Sequence, residues 1–317
     1  MVDFEIKKQE VVLLLLKNGI PAAHAETVAD CFVTADEYGV TSHGTAILPS
    51  HVQRIERGGY NLAPVCKVVK ETAAFSVIDG DNAMGPVSAM FCLEHAMEKC
   101  RESGVYTVFA RNNNTFGPAF YYSLKAAERG YIAFICSNSP AQMAPMGGVE
   151  KLFGTNPLAA VIPVPGGDPI IIDMATSVVA KSKFKEYKTA GKPLPEGWAL
   201  DANGNPTTDP DAGMSGLVLP MAGFKGYAIS LLIDLAAGLL SGAACLDRVG
   251  RFYSEDKTSM NVGFYMTVID PVAVCGEAYH EAIRDYVARI KSSRAADGQT
   301  VALPGEDRIL YRKNRDA

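Results

Sequence analysis

Apolar residues recur at three- and four-residue spacing through the first sixty positions, so the chain opens on helices. Ile6–Lys17 reads as one helix, stopped at Gly19. Pro21, expected at the first helical position, restarts a helix that runs through Val28, Cys31, Phe32 and Ala35 towards Gly39. Ile47–Arg57 repeats the pattern with Leu48, Val52 and Ile55 and ends in Gly58-Gly59. The period then shortens. Val65–Lys70 and Ala74–Ile78 predict short strands, with a turn at Asp79-Gly80-Asp81. A helix over Val87–Glu102 leads to strand Tyr106–Ala110, and a second over Ala119–Arg129 leads to strand Ile132–Cys136. Strands Leu158–Ile162 and Pro169–Met174 follow. The Pro-, Gly-, Asn- and Asp-rich stretch Pro193–Gly216 predicts a long surface loop. Helix Gly226–Ser241, a strand near Gly263–Ile269 and a long helix Val274–Lys291 complete a mixed α+β chain whose strand order the pattern leaves open.

Composition narrows the function. The 317 residues are 48% apolar and 21% charged, which suits a globular core. The net charge of −5 and the lack of a basic stripe argue against a general nucleic-acid binder. The start lacks a basic leader, and Val11–Leu16 is too short for an anchor. The longest apolar run, Gly226–Ala244, contains Ser230, Asp234 and Ser241, so a buried helix of a soluble protein is expected. Seven cysteines without a C-x-x-C pair fit the reducing cytoplasm and no metal cage.

The glycine fingerprint G-x-G-x-x-G, the phosphate loop G-x-x-x-x-G-K-[ST] and the nucleophile elbow G-x-S-x-G are all missing. Gly-flanked polar clusters remain. In Thr41-Ser42-His43-Gly44 an imidazole beside a glycine has room for a ligand and a pKa suited to proton transfer, although local sequence favours a simple helix cap. Arg111-Asn112-Asn113-Asn114-Thr115-Phe116-Gly117 and Ser137-Asn138-Ser139-Pro140 each follow a strand; they form either ligand-binding edges or self-satisfied turns. Asp173 ends an apolar strand, where it can orient a histidine, bind ribose hydroxyls or cap a helix. Lys225 enters a helix start, a place that prefers anions, which suggests a phosphate or carboxylate neighbour.

In this order, Ser42-His43-Gly44, the Asn-rich turn ending Phe116-Gly117, Gly147-Gly148, Gly154-Thr155-Asn156-Pro157 and Asp173-Met174-Ala175-Thr176-Ser177 resemble the type-2 malate/L-lactate dehydrogenase family. Pro195-Glu196-Gly197-Trp198, Thr208-Asp209-Pro210, Lys225-Gly226-Tyr227 and Pro304-Gly305-Glu306 extend the likeness over nearly the whole chain. The resemblance implies a non-Rossmann dinucleotide-binding fold with a largely antiparallel central sheet and a helical domain built from both chain ends. The helical, dimerising part would be residues 1–60 with 208–258 and 273–317; the cofactor-binding sheet part would be 61–207 with 259–272. It further implies a homodimer, no metal, and NAD(H) or NADP(H), with NAD favoured by family habit.

By the same resemblance, His43 is the proton donor or acceptor, with Ser42 and Asp173 in its hydrogen-bond chain. Cofactor contacts are implied at Asn112, Asn114, Phe116 and Gly117, at Gly154, Thr155 and Asn156, along Asp173, Met174, Ala175, Thr176 and Ser177, and at Phe224, Lys225, Gly305 and Glu306. The substrate pocket would include Ile47, His51, Arg54, Thr115 and Asn138. Three positions depart from the family pattern: Ile47 stands for an arginine, His51 for a tyrosine and Thr115 for a histidine. Isoleucine cannot grip a carboxylate bidentately, so Arg54, Arg111 or His51 are the expected replacement anchors; alternatively, Ile47 is a core residue. The expected activity is hydride transfer between nicotinamide and a small 2-oxo or 2-hydroxy acid. A cyclic-imine reductase is the alternative, and a non-catalytic nucleotide binder the third reading.

Overall fold

The computed structural model describes residues 3–254, 257 and 259–316. Helices α1 (Phe4–Lys17), α2 (Ala22–Glu37) and α3 (Leu48–Glu56) open the chain. Strands β1 (Lys67–Glu71) and β2 (Phe75–Asp79), helix α4 (Gly85–Ser103), strand β3 (Val105–Asn113), helix α5 (Ala119–Ala127) and strands β4 (Ile132–Ser137), β5 (Leu158–Ile162) and β6 (Ile170–Met174) follow. Next come helix α6 (Ser182–Thr189), the two-residue strands β7 (Ala199–Leu200) and β8 (Pro206–Thr207), helix α7 (Pro210–Ser215), strand β9 (Leu217–Val218) and helix α8 (Phe224–Ile233). Strand β10 (Val262–Ile269) and helices α9 (Pro271–Cys275), α10 (Tyr279–Lys291) and α11 (Glu306–Asp316) end it.

Seven strands form one sheet in the order β1-β2-β3-β10-β4-β5-β6. Only β2 and β3 pair in parallel there; the other neighbours are antiparallel. The sheet is therefore largely antiparallel in a mixed α+β fold, as the pattern and the resemblance lead one to expect. Alternation along β10 serves two layers. Phe264, Met266 and Val268 join the main core with α4 and α5, whereas Tyr265 faces Ile233 and Ala237 on the other side. Gly263 permits this second contact, because a Cβ there would lie 1.6 Å from the Ala237 carbonyl oxygen.

The two chain ends meet. Arg312 Nη1 donates to the Tyr38 hydroxyl at 2.8 Å, and the Arg315 guanidinium lies 4.8 Å from the Phe4 ring centroid.

Four expectations change. The stretch Pro193–Gly216 is not a plain surface loop: β7, β8 and β9 form a small sheet, and Leu194, Ala199 and Val218 pack with Phe184 of α6 in a second core. Helix Gly226–Ser241 is not wholly buried. It becomes a π-helical turn at Asp234–Leu239, and Phe224, Leu232, Leu235, Leu239 and Leu240 are exposed along it. The helix expected over Val274–Lys291 is broken at Gly276, whose φ of +71° ends α9 before α10 starts. Pro21 precedes the first helical residue rather than occupying it.

Candidate active site

Ser42 and His43 stand on a 3₁₀ turn, Thr41–His43, directly after α2. Its shape is fixed from behind by Asp36, which is buried, accepts from the Thr45 backbone N–H at 3.2 Å and pairs with Lys7 Nζ at 2.6 Å. This buried carboxylate, rather than a cap by Thr41 or Ser42, anchors the segment. Ser42 Oγ lies 2.9 Å from His43 Nδ1. That contact orients the ring through Nδ1. The ring opens onto a cleft and is solvent-accessible there, yet the protein packed around it holds its pKa below the ordinary imidazole value. Burial within the cleft is the main cause; the carboxylate of Asp173 opposes it and the guanidinium of Arg308 reinforces it.

The cleft is a cavity of about 860 Å³. Among the expected residues it gathers Ser42, His43, Thr115, Phe116, Gly117, Asn138, Thr155, Asp173, Met174 and Ala175 on its walls. Asp173, near the end of β6, is not bonded to His43. Its Oδ2 accepts from Arg308 Nη1 at 2.6 Å, and Arg308 Nη2 donates to its carbonyl at 3.2 Å. Asn138 reaches the cavity with its amide already committed: Nδ2 donates to the Ala244 carbonyl and Oδ1 accepts from the Gly263 N–H.

The remaining expected residues lie off this wall, for physical reasons. Ile47 packs against the main core, so position 47 does not present a side chain to the cavity. His51 is fully buried among Phe32, Tyr60 and Phe252, with Nδ1 2.8 Å from the Tyr60 hydroxyl. Arg54 is also buried and donates to the Phe252 carbonyl and to Asn114 Oδ1. Asn114 spends its amide on Asn82 and Ala83; Asn112, at φ +55°, donates to Asp79. The Asn-rich turn is thus a knot that ties β2, β3 and the entry to β10 together. Arg111 pairs with Asp79 at 3.4 Å.

Gly154 and Asn156 are packing residues: Asn156 bridges the Ser139 N–H to the Ser230 carbonyl, and a Cβ on Gly154 would meet Ser139. Ser177 bonds the Val179 carbonyl. Buried Thr176, whose Oγ1 has no partner, lies just behind the wall formed by Asp173, Met174 and Ala175. Phe224 and Lys225 are exposed on the first turn of α8, outside the cavity. Glu306 pairs with Lys291 at 2.8 Å, and Gly305 packs on Ile171 of β6.

The motif around Pro304 nevertheless delivers a residue not anticipated from sequence. Arg308, two positions beyond Glu306, lines both this cavity and a neighbouring one of about 340 Å³, which also share Val40, Ser42, Ala180 and Ser182. Lys181, Arg251 and Tyr253 on the main wall were likewise not foreseen. No sequence signal marked them, since single basic residues in irregular segments look like ordinary surface. Among the described residues there is no cluster of metal-ligating side chains, and no helix long and apolar enough to cross a membrane.

A nicotinamide dinucleotide fits these features. Paired cavities share a guanidinium, and the 173–176 stretch brings a strand end, backbone groups and an unpartnered buried hydroxyl to one side.

Comparison with known proteins agrees. The family model described as malate/L-lactate dehydrogenase matches residues 2–317. Malate dehydrogenase of Pyrococcus horikoshii is 37% identical over 314 residues, covering 96% of this chain and 86% of that protein. The structure of sulfolactate dehydrogenase from Methanocaldococcus jannaschii superposes with a TM-score of 0.92 at 34% identity, covering 99% of this chain and 91% of the other. Δ1-Piperideine-2-carboxylate reductase from Pseudomonas syringae superposes with a TM-score of 0.90 at 27% identity, covering 99% and 93%. Some relatives are named for NAD⁺ and others for NADP⁺. Sequence, sheet and cleft lead to one assignment: the chain belongs to the malate/L-lactate dehydrogenase family of NAD(P)-dependent 2-hydroxy acid dehydrogenases.

Proposed function

We propose that the protein interconverts a small 2-oxo acid and its 2-hydroxy acid at the cleft, with His43 as the proton donor and acceptor. The carrying observation is the Ser42–His43 pair, 2.9 Å apart, on the wall of a cavity large enough for both reactants. Bound there, NAD(H) or NADP(H) supplies or accepts the hydride. The chain contributes the proton. In the tautomer that donates Nδ1–H to Ser42 Oγ, Nε2 offers a lone pair and takes the hydroxyl proton as the alcohol is oxidised. In reduction the protonated ring returns it to the developing alkoxide. Arg308, held by Asp173, keeps positive charge at the junction of the two cavities, where it can hold a phosphate or carboxylate. Met174 and Ala175 would flank the cofactor, while Thr115, Phe116 and Gly117 close the wall beside His43.

A second reading is reduction of a cyclic imine that carries a carboxylate. Its support is the structural likeness to the piperideine-2-carboxylate reductase and the departure at position 115, the one of the three that lines the cavity. We further infer a homodimer built on the exposed apolar face of α8 and the turn after it. All seven cysteines are free thiols, which supports a reducing compartment such as the cytoplasm.

Steady-state NADH and NADPH oxidation over a panel of 2-oxo acids and cyclic imines tests the assignment. His43→Ala is expected to lower kcat by about 10²–10⁴-fold with little change in nucleotide affinity. Because the free-enzyme pKa of His43 is lowered, kcat/KM for alcohol oxidation should fall only as pH drops through a value below 6.5. Activity of His43→Ala within a few-fold of wild type removes His43 from the reaction.

A further inference from the structure

Two neighbouring lysines tie α1 to α2, and they end in different places. Lys8 Nζ donates to Asp30 Oδ1 at 2.7 Å. Asp30 Oδ2 in turn accepts from the Tyr121 hydroxyl at 2.7 Å and lies 3.0 Å from Lys125 Nζ, both on α5. None of these four residues lines the cleft. Lys7 Nζ instead donates to Asp36 Oδ2 at 2.6 Å, and the same oxygen accepts from the Thr45 hydroxyl at 2.5 Å and the Thr45 backbone N–H at 3.2 Å. One carboxylate oxygen thus holds both the start of α1 and the residue two beyond His43.

Asp36 sits in the last turn of α2, where the helix dipole disfavours an anion, and its side chain is only 7% exposed. Such a carboxylate is stable only with its donors in place. Gly44, between His43 and Thr45, is fitted to the same group: a Cβ there would lie 1.9 Å from Asp36 Oδ1. Its φ of −95° is open to any residue, so the glycine answers the close approach of the carboxylate and not a special backbone angle. Within the turn, the His43 N–H bonds the Val40 carbonyl and the Gly44 N–H bonds the Thr41 carbonyl. Those local bonds fix the shape of the turn, whereas the Asp36 oxygen fixes its place against two helices. The charges that act on the His43 ring are those of Asp173 and Arg308, so Asp36 acts on it through position.

We propose that Asp36 and Lys7 are positioning residues for proton transfer. They seat the 41–45 turn so that His43 meets its ligand in register, and α1 thereby governs the rate without lining the cleft. This rests on the role proposed for His43 and goes beyond it by separating the two ionic pins of α1: the Lys7–Asp36 pair serves the chemistry and the Lys8–Asp30 pair serves packing alone.

The test compares Asp36→Ala, Lys7→Met, Lys8→Met and His43→Ala with wild type, by NADH oxidation with the best 2-oxo acid of the panel, thermal melts and fluorescence titration of NADH. The two lysines are equally exposed, 30% and 29%, so both lysine variants should melt lower by a similar amount, about 1–4 °C. Their kinetics should part. Misplacing a reacting group by about 1 Å can cost about 100-fold, so Asp36→Ala should lower kcat by about 10–100-fold. Lys7→Met should lower it by about 3–10-fold, because Thr45 still holds the carboxylate, and Lys8→Met should stay within about twofold. KM, the NADH dissociation constant and the pH midpoint of kcat/KM should not move, since position and not charge at the ring has changed. Equal kcat in Lys7→Met and Lys8→Met overturns the proposal, and the lysine pair decides alone if Asp36→Ala fails to fold. Asp36→Ala that melts lower yet keeps its kcat also overturns it, as does a shifted pH midpoint. Full activity of His43→Ala instead refutes the role of the histidine itself, a separate outcome.

Discussion

His51 should make the protein acid-sensitive by an amount that can be calculated. The imidazole is completely buried, ringed by Phe32, Tyr60 and Phe252 at centroid distances of 4.9–6.0 Å, and its pKa falls to about 3. Burial is the chief cause and the Arg54 guanidinium the second. In the unfolded chain the ring returns to an ordinary pKa of about 6.5. The unfolded state therefore binds the extra proton, and stability is full above pH 6.5 and lost as pH falls towards 3. Its slope approaches about 1.4 kcal/mol per pH unit, so moving from pH 7.5 to 5.0 costs about 2 kcal/mol from this residue. Other groups titrate too, so the measurement is a difference. His51→Phe combined with Tyr60→Phe removes the ring and also the hydroxyl that bonds it, leaving no buried polar partner behind. Urea denaturation of both proteins at the two pH values should show the double variant losing about 2 kcal/mol less than wild type. Equal losses would refute the reasoning, since they would mean that His51 is protonated or solvated in the native protein.

Two further outcomes follow from packing. The 33.9 kDa chain should run as a dimer of about 68 kDa by light scattering, and Leu232→Glu with Leu239→Glu, on the exposed face of α8 and its continuation, should shift it to monomer; a wild-type monomer at micromolar concentration rejects that interface. Gly305→Ala places a Cβ about 2.5 Å from Ile171 Cβ at φ +82°, so it should lower stability by about 1–3 kcal/mol and raise KM for the nucleotide by unseating Arg308, as read by thermal melts and steady-state kinetics.

Where apolar spacing and side-chain burial agree, sequence locates the elements well. Leu158–Ile162 is a strand at its expected bounds, and the helices and strands up to Cys136 shift by only a few residues. The misses have identifiable causes. Pro and Gly in Pro193–Gly216 mark turns correctly, but strands of two residues are too short to show a period. The segment Gly226–Ser241 is apolar on all sides, which suits a core helix and an interface helix equally. Within the cleft, contiguous motifs were legible because chain order brings Ser42-His43 and Asp173–Ala175 forward together. Asparagines misled, since the same amide that can hold a ligand can instead tie turns together, as Asn112 and Asn114 do here. Arg308, Lys181 and Arg251 reach the cavity wall through tertiary placement, which one-dimensional spacing does not encode.

The position of β10 has a bearing on synthesis. Residues 262–269 form the strand between β3 and β4, which ends at residue 137, so both inner edges stay open while about 125 further residues are added. At about 5–20 residues per second, that exposes two pairing-competent edges for roughly 6–25 s on the ribosome. Nascent chains of this protein should therefore depend on chaperone cover late in translation, and stalling before residue 260 should yield aggregates rather than a partly active enzyme. The same strand brings Gly263 to Asn138 on the cleft wall, so that wall cannot be finished before β10 is in place.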